Sequence, residues 1–426
     1  MVERDSNQKA CRDRPRILLV TMGVTHPPTG GGRQRNNLLL RALQHIGDVD
    51  VVAIDGSPLD QREELYMREH EGLKAVLRMP LHGDLPPWRW FAPLNPKLVQ
   101  RLAHNLGNRR RLYRPRPPID QVVRRLQEER RYDVVVGRYL LYAMTAGLHQ
   151  HPRSILDVDD VDTEKYRYRI NDPNEVFWHR WVLRRHLKHL QPIMGENLPL
   201  FKALWVANPS DRLLPGLESA KVLLNLPYQA AFNNRSGARL PPVTSNCKRA
   251  VVVSSWGHKP NNHGLEVFLS RAWPRIRQAC PDATLRVVGS QMSEQMRRRL
   301  ARIPGIDPVG YVDDLSQIYA DSAFAIAPVF SGGGTNIKVL EALWYGRACL
   351  VTNVAYRGYQ ETLPAGECLE LGSDIDGLVN GAVRLYTDPA YRQRLASAGC
   401  SAVRRHYSFE QFRRVVSGTV EEVLRV

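Results

Sequence analysis

Phe324-Ala-Ile-Ala-Pro-Val329, Ser331-Gly-Gly-Gly-Thr-Asn336 and Ile337-Lys-Val-Leu-Glu-Ala342 stand close together in this chain of 426 residues. The first segment is an apolar run typical of a buried strand, the second is a glycine turn, and the third opens a helix. A further apolar run, Ala348-Cys-Leu-Val-Thr352, predicts the next strand. Strand, glycine turn, helix and strand form the repeating unit of a doubly wound α/β sheet.

The same order of elements occurs in the first half of the chain and again in its middle. Apolar runs that predict strands lie at 16–21, 50–55, 132–137, 154–158, 249–254 and 283–289. A second glycine turn, Gly30-Gly-Gly-Arg33, separates the first of these runs from a helix predicted over 37–43. We therefore predict an α/β protein with two Rossmann-like domains, at 1–228 and 229–405, and a terminal helix at 406–426.

Composition limits the class of protein. Apolar residues make up 43% of the chain, which excludes disorder as its default state, and no apolar run reaches the length of about 20 residues that a membrane span needs. The polar start lacks a secretory leader and the six cysteines are dispersed, so we expect a reduced, cytoplasmic protein. The net charge of +17 favours anionic partners, namely nucleic acid, anionic lipid or a small anionic substrate.

The glycine turn at 331–336 is the strongest chemical signal. Backbone N–H groups in such a turn can approach a diphosphate, and the start of the next helix favours negative charge. Thr335 and Asn336 can cap the helix or donate to a phosphate oxygen, and Lys338 can neutralise charge there. Glu341 could accept hydrogen bonds from two ribose hydroxyls. An ordinary capped helix after a glycine turn is the alternative reading.

The turn at Gly30–Arg33 lies where the first strand ends, which is the usual ligand edge of an α/β sheet. Arg33 could pair with a phosphate there, whereas the alternative is a loop without a ligand. Two such turns, one in each α/β unit, suggest an anion bound between the domains.

At this point the sequence resembles a family. Ser331–Glu341 and the following Ala-Leu-Trp-Tyr-Gly346 are similar to the nucleotide-sugar motif of family 4 glycosyltransferases. That family has the GT-B fold, in which two Rossmann-like domains face each other across a cleft. Further segments resemble it in the same order: 154–161, 207–212, 222–228, 256–264, 273–274, 281–289 and 310–314. The terminal helix resembles the family's last segment, which returns to the first domain.

The resemblance implies transfer of a sugar, with retention, from a nucleoside diphosphate to an acceptor hydroxyl, without a metal or other cofactor. The donor would lie on the second domain and the acceptor on the first. Glu341 would then hold the donor ribose. The expected diphosphate contacts are Gly31, Gly32, Gly333, Gly334, Thr335 and Asn336.

The motif also departs from the family pattern. The first of the family's two glutamates falls at Gly333, and the usual Arg and Lys after the first strand of the second domain are missing. His263 stands roughly at the lysine position, and Lys338 could supply the lost charge. We therefore expect Arg33, Lys338 and Asp159 to be catalytic, with front-face attack and stabilisation of the departing diphosphate. Further candidate contacts with acceptor or donor are His26, Arg138, Asp160, Asn261 and His263.

Two other segments permit two readings each. The aspartates within 157–162 could bind a divalent cation, but we favour capping, orientation of a basic residue or contact with the acceptor, and we predict no metal. The aromatic and basic residues of 177–190 could lie on an anionic membrane, and the alternative that we favour is a domain helix with buried Trp and Leu and a solvated basic face. The basic tract 109–116 predicts a surface patch.

The resemblance therefore implies a retaining hexosyltransferase for polysaccharide or glycoconjugate synthesis. Its partners would be a nucleotide sugar and a carbohydrate or lipid-linked acceptor, with peripheral contact at the inner face of an anionic membrane and no nucleic acid. The alternatives are another nucleotide-sugar enzyme on this fold (an epimerase or hydrolase), a sugar-binding relative without activity, and a basic nucleic-acid-binding protein. No helix-turn-helix, zinc finger or RNA-binding motif favours the last of these.

Overall fold

A computed structural model describes residues 14–26, 31–55, 61–78, 112–159, 161–171, 176–227, 244, 246–332 and 334–425. The chain divides into two compact units. The first unit comprises residues 1–223 together with 412–426, and the second comprises residues 224–411. The boundary between the two units thus lies after residue 223, whereas the boundary predicted from the sequence lies after residue 228.

The first unit contains a parallel sheet in which the described residues supply seven strands in the order β3-β2-β1-β4-β5-β6-β7. The strands are β1 (Arg16–Met22), β2 (Asp48–Asp55), β3 (Leu73–Arg78), β4 (Val134–Arg138), β5 (Ser154–Asp159), β6 (Ala203–Val206) and β7 (Lys221–Val222). The α-helices are α1 (Gly31–Gln44), α2 (Gln61–His70), α3 (Ile119–Arg130), α4 (Leu140–Thr145), α5 (Asp162–Asn171) and α6 (Phe177–Asn197).

The second unit repeats this architecture with six described strands in the order β10-β9-β8-β11-β12-β13. The strands are β8 (Arg249–Val253), β9 (Thr284–Val288), β10 (Ile306–Gly310), β11 (Phe324–Ala327), β12 (Ala348–Thr352) and β13 (Glu370–Gly372). The α-helices are α7 (Lys259–Val267), α8 (Trp273–Ala279), α9 (Glu294–Ala301), α10 (Ser316–Ala320), α11 (Ile337–Trp344), α12 (Asn353–Tyr356), α13 (Ile375–Thr387) and α14 (Pro389–His406). Helix α15 (Phe409–Leu424) follows, and most of it belongs to the first unit.

The strand order creates one reversal point in each sheet. In the first unit, chain connections run outward from the β1–β4 pair in both directions, and in the second unit from the β8–β11 pair. At such a point the loops that follow two adjacent strands separate to opposite faces of the sheet and leave a crevice at the carboxyl edge. Both glycine turns of the sequence follow one of these four strands, so the topology brings them to the expected ligand edges.

The structure corrects the expected start of α1. The sequence predicts a turn at Gly31–Arg33 before a helix over 37–43, but these three residues already form the first turn of α1. Glycine lowers helix propensity without forbidding a helix, and the buried face that includes Leu38, Leu39 and Leu43 holds this one against the sheet.

Two further elements differ from the sequence prediction. The apolar spacing of residues 264–278 predicts one continuous helix, but a π-helical turn at Phe268–Ala272 interrupts it. Pro274 lacks an N–H group and so cannot continue the α-helical ladder, which accounts for a wider turn just before it. The sequence of 56–131 predicts a long irregular region that is functional or carries short helices, and its described residues form α2, β3 and α3.

Helix α6 does not bury its tryptophans. Its buried residues are Leu183, His186, Leu190, Ile193 and Met194. Trp178 and Trp181 instead lie on the solvent side, so the expectation of buried Trp in this segment is wrong. Among the residues that the structure describes, no helix combines the length and the apolar character required to cross a bilayer.

Candidate functional site

The candidate site of the second unit lies at the carboxyl ends of β8 and β11. These strands are hydrogen-bonded neighbours in parallel register, with Phe324 opposite Ala250. Ser254 directly follows β8, and the glycine turn 331–336 follows β11 and leads into α11. The topology therefore places a hydroxyl, a glycine turn and a helix start at one reversal point.

Lys338 reaches across this point. Its Nζ donates hydrogen bonds to Ser254 Oγ at 2.9 Å and to Asn261 Oδ1 at 2.8 Å. Burial lowers the pKa of Lys338 to about 8, against the opposing influence of Cys349 and Glu341. The ammonium is thus held by two neutral oxygens, which leaves its charge without a directly bonded anion among these contacts. An anionic ligand would provide that missing counter-charge.

Glu341 lies one turn further along α11 and is buried. Tyr319, on α10, donates its hydroxyl to Glu341 Oε1 at 2.9 Å, and its ring stacks on Tyr345 at 4.8 Å between centroids. Burial raises the pKa of Glu341 to about 7, although the Tyr319 hydrogen bond and Lys338 both act to lower it. A carboxylate in this environment gains from any further hydrogen-bond donor that a ligand brings.

The carboxyl end of the glycine turn is fixed by polar side chains. Asn225 Nδ2 donates to Thr335 Oγ1 at 2.6 Å. Asn336 occupies the N-cap position of α11 but makes no side-chain cap bond, and its Nδ2 instead lies 3.4 Å from the Val354 carbonyl. Gly332 has φ of 132°, a backbone conformation that favours glycine. The predicted contact Gly333 lies outside the described residues, while Gly334 directly precedes these two anchored residues.

Helix α7 supplies the second anchor of Lys338. Asn261 Nδ2 donates to the Ser255 carbonyl at 2.9 Å, which orients Oδ1 toward the ammonium. Gly264 permits this approach, because an added Cβ would lie 1.9 Å from the Pro328 carbonyl oxygen. The neighbouring His263 has a buried Nε2 with no hydrogen-bond partner among the described residues.

The first unit places its predicted residues around the start of α1. Arg33 is partly buried and forms no hydrogen bond or ion pair with a described residue, so its guanidinium is available to a ligand. Arg138, at the end of β4, donates from Nη1 to the Gly32 carbonyl at 2.8 Å. His26 stacks on Tyr66 at 4.1 Å between ring centroids. Gly31 and Gly32 are exposed at the helix start.

A buried ion cluster lies beneath this helix start. Arg35 donates to both carboxylate oxygens of Asp157, at 2.8 and 2.6 Å. Arg138 pairs with Asp157 at 3.1 Å and also with Asp159, which accepts from the Tyr139 hydroxyl at 3.0 Å. Burial by itself lowers the pKa of each arginine, but Asp157 and Asp159 raise both above the ordinary value.

Within this ion cluster, Asp157, Asp159 and Arg138 contact one another and Arg35. Asp159 has φ of 55°, a strained backbone for a side-chain-bearing residue, and it faces Arg138 and Arg35. Arg138 is fully buried. These residues orient one another and the α1 start, in keeping with the reading that the aspartates orient a basic residue. Asp160 lies outside the described residues.

The sequence does not single out Ser254, Tyr319, Asn225, Arg35 or Asp157 as individual site residues. Ser254 is the last residue of a predicted strand that borders the reversal point, so its position was a usable signal. Tyr319 carries no comparable signal, because it meets Glu341 only through the packing of α10 on α11. Within the described residues, no three His, Cys, Asp or Glu side chains are grouped so that they could hold a metal ion.

The family comparison matches the second unit. Residues 247–388 fit the model of the family described as glycosyl transferases group 1. This segment matches a group 1 glycosyltransferase domain. The resemblance to family 4 glycosyltransferases is thereby confirmed for this part of the chain. Lys338, Glu341, Ser254 and Asn261 all belong to the glycosyltransferase domain, whereas Arg33 precedes it.

A curated relative agrees with this family. A GDP-mannose-dependent monoacylated alpha-(1-6)-phosphatidylinositol monomannoside mannosyltransferase from Corynebacterium glutamicum is 32% identical over 151 residues, which is 33% of this chain. The match spans only 40% of that protein's length.

Solved structures confirm the predicted GT-B fold of two Rossmann-like units. Sucrose-phosphate synthase from Thermosynechococcus elongatus covers 97% of this chain, and all of that structure is covered, with a TM-score of 0.65 at 15% identity. Anabaena Alr3699/HepE, in complex with UDP and glucose, covers 96% of this chain, again with all of that structure covered, with a TM-score of 0.62 at 12% identity.

Proposed function

We propose that this protein transfers a hexosyl group, with retention of anomeric configuration, from a nucleoside diphosphate sugar to an acceptor hydroxyl. The observation that carries the proposal is the Lys338 ammonium, fixed between Ser254 and Asn261 at the reversal point of the glycosyltransferase domain. A partly buried cation bonded to neutral oxygens beside a glycine turn and a helix start fits a diphosphate better than a neutral ligand.

The proposed reaction breaks the bond between the anomeric carbon and the diphosphate oxygen and forms a bond from that carbon to the acceptor oxygen. The acceptor proton passes to the departing diphosphate, which leaves on the face where the acceptor enters. Lys338 stabilises the negative charge that develops on the diphosphate. Arg33, whose guanidinium has no partner among the described residues, is the proposed second cation. No metal takes part in this scheme.

In this proposal Asp159 does not contact the substrate directly and acts through another residue. Because Asp159 pairs with Arg138, and Arg138 donates to the Gly32 carbonyl at 2.8 Å, the aspartate acts through Arg138 on the start of α1. Asp159 and Arg138 are therefore positioning residues for Gly31, Gly32 and Arg33. Such support holds the loop in a productive geometry before the donor arrives.

Glu341 is the proposed ribose ligand. Its Oε1 already accepts from Tyr319, so the other carboxylate oxygen is the one free to receive the ribose hydroxyls. Tyr319 favours the ionised form of Glu341, which is the form that accepts hydrogen bonds from two hydroxyls. The proposed diphosphate contacts are the backbone of Gly334 and the hydroxyl of Thr335, which Asn225 orients.

The proposed acceptor is a carbohydrate or a lipid-linked sugar, used in polysaccharide or glycoconjugate synthesis at the inner face of the cell membrane. The relative from C. glutamicum supports this, because its name specifies a nucleotide-sugar donor and a phosphatidylinositol mannoside acceptor. The UDP and glucose bound by HepE support a nucleoside diphosphate sugar as donor on this fold.

A thermal-shift panel tests the donor site. UDP, GDP, ADP, TDP and CMP are added at fixed ionic strength, and we expect one diphosphate to raise the midpoint selectively, because a ligand specific to the folded state stabilises it. Lys338→Ala should weaken binding of that diphosphate about tenfold or more while sparing the free nucleoside. Glu341→Ala should weaken both, and the matched control Lys202→Ala, at an exposed lysine of the first unit, should change neither.

Two more conservative variants test the same site in case substitution of the buried Glu341 prevents folding. Tyr319→Phe removes the hydroxyl that orients Glu341 and should weaken nucleoside binding about fivefold. Tyr345→Phe keeps the stacked ring and removes a hydroxyl that has no hydrogen bond to a described residue, so this variant should bind the nucleoside normally. Unchanged diphosphate binding in both Lys338→Ala and Tyr319→Phe would contradict the site.

A further inference from the structure

One face of α6 exposes three large aromatic side chains at the beginning of the helix. Phe177 is 80% exposed, Trp178 is 65% exposed and Trp181 is 56% exposed. Exposed tryptophans at adjacent turns are unusual on a monomer surface, where large aromatic rings are mostly covered. Their indole groups combine an apolar body with a polar N–H, the property that places tryptophan at boundaries between water and lipid.

The same face continues with cations. Arg184, Arg185 and Lys188 follow the aromatic residues at the spacing that keeps side chains on one side of a helix. All three are exposed, and none forms an ion pair with a residue that the structure describes. At about 1.5 Å per residue, the face from Phe177 to Lys188 extends about 16 Å.

The opposite face of α6 anchors the helix. Leu190, Ile193 and Met194 are buried in the hydrophobic core of the first unit. The exposed aromatic residues therefore take no part in that core, and the helix keeps its place without them. Removal of exposed side chains from such a face should therefore leave the stability of the first unit largely unchanged.

We propose that this face, residues 177, 178, 181, 184, 185 and 188, binds the interface of an anionic lipid bilayer. The aromatic rings enter the boundary between headgroups and acyl chains, and the three cations contact lipid phosphates. The net charge of +17 adds attraction toward an anionic surface. This assigns a surface to the membrane contact of the proposed function, and it does not depend on the donor site.

The charge of this face favours an anionic lipid bilayer as its partner and not a second copy of the chain. Two copies joined through this face would bring together three cations from each copy, which is unfavourable without counter-ions. An anionic membrane supplies those counter-charges and an apolar layer at the same time. Self-association and nucleic-acid binding are outcomes that the experiment distinguishes.

Co-sedimentation with vesicles of phosphatidylcholine, with and without phosphatidylglycerol, tests the proposal on the full chain. We expect binding to the anionic vesicles that weakens with salt. Trp178→Ser/Trp181→Ser should lower the partition coefficient about tenfold or more, and Trp178→Phe/Trp181→Phe should largely retain it. Arg184→Glu/Arg185→Glu should lower it about thirtyfold or more.

The matched control is Arg271→Glu/Arg302→Glu, which makes the same charge change at exposed residues of the second unit. An equal loss in this control would overturn the proposal in favour of a general charge effect. Absence of vesicle binding by the unmodified chain would also overturn the proposal. So would the finding that the unmodified chain forms a dimer or a DNA complex and that only the α6 variants fail to form it. Stabilisation by the preferred nucleoside diphosphate should be unchanged in every α6 variant, so failure here and failure of the donor site are separate results.

Discussion

At the scale of single residues, the candidate site contains two titratable side chains whose surroundings disfavour their charged forms. Burial lowers the pKa of Lys338 to about 8 and raises the pKa of Glu341 to about 7. Both shifts oppose the charged forms that a nucleotide ligand would use. Paired titratable groups whose surroundings shift their pKa values this far are typical of functional sites, and here the contacts with Ser254 and Tyr319 define the geometry.

The Lys338 shift predicts a pH dependence of stability. The ordinary pKa of this lysine, 10.5, applies in the unfolded chain, and the folded value is about 8. Between these values the unfolded state binds more protons, so the contribution of Lys338 to the free energy of unfolding rises with pH, by up to about 1.4 kcal/mol per pH unit. Denaturant titrations of the unmodified chain and Lys338→Met from pH 8 to about pH 10 measure the difference. A constant difference across that window would show that Lys338 is not desolvated.

The sequence indicates Lys338 and Glu341 because both follow a glycine turn at helical spacing. It does not indicate Tyr319 or the pairing of Asp159 with Arg138, because those contacts join residues brought together only by the packed fold. Local patterns therefore predict the part of the site that lies on one turn and helix. The residues that orient it require the tertiary structure.

At the scale of elements, the strands were the most predictable features. Each predicted run matches an observed parallel strand to within a few residues, because strands buried on both faces are continuous apolar runs. The start of α1 and the π-turn at Phe268–Ala272 were missed. At the start of α1, packing against the sheet outweighs the low helix propensity of glycine. At Phe268–Ala272, the following proline interrupts the α-helical hydrogen bonds, although the hydrophobic periodicity alone predicts a continuous helix.

The approach of α7 to β11 depends on one glycine. An added Cβ at Gly264 would lie 1.9 Å from the Pro328 carbonyl oxygen, so Gly264→Ala must push the helix away and displace Asn261 from Lys338. We expect a loss of about 1–3 kcal/mol in stability and weaker diphosphate binding. Chemical denaturation and the thermal-shift panel measure both.

The control for this variant is Gly195→Ala, an exposed glycine of α6 whose added Cβ would meet nothing within 4 Å. It should be neutral or stabilise by up to about 1 kcal/mol, as alanine usually does inside a helix. Equal behaviour of the two variants would contradict the close approach of α7 to β11.

At the scale of the whole molecule, the first unit is assembled from two separate segments, 1–223 and 412–426. Helix α15 buries Phe412, Val416, Val420 and Val423. Trp205 on β6 donates its indole N–H to Thr419 Oγ1 at 3.1 Å. The last described helix is therefore an integral part of the first unit's core.

Thr419→Val tests how much that attachment contributes. The variant keeps the shape of the side chain and leaves the buried Trp205 N–H without its acceptor, which should cost about 1–3 kcal/mol. Hydrogen exchange should increase in β6 and β7 of the first unit and remain unchanged in the second. The control Thr387→Val removes a hydroxyl that makes the same bond to the carbonyl four residues earlier, at an exposed site, and should have little effect.

The two-segment construction has a consequence for synthesis on the ribosome. Residues 224–411 emerge before 412–426, so the second unit can fold while the first still lacks α15. Until residues 412–426 emerge, the first unit's surface around Trp205 has no Thr419 beside it and presents uncovered apolar area. A nascent chain paused before residue 412 should therefore recruit chaperones that bind apolar segments, and emergence of residues 412–426 should release them.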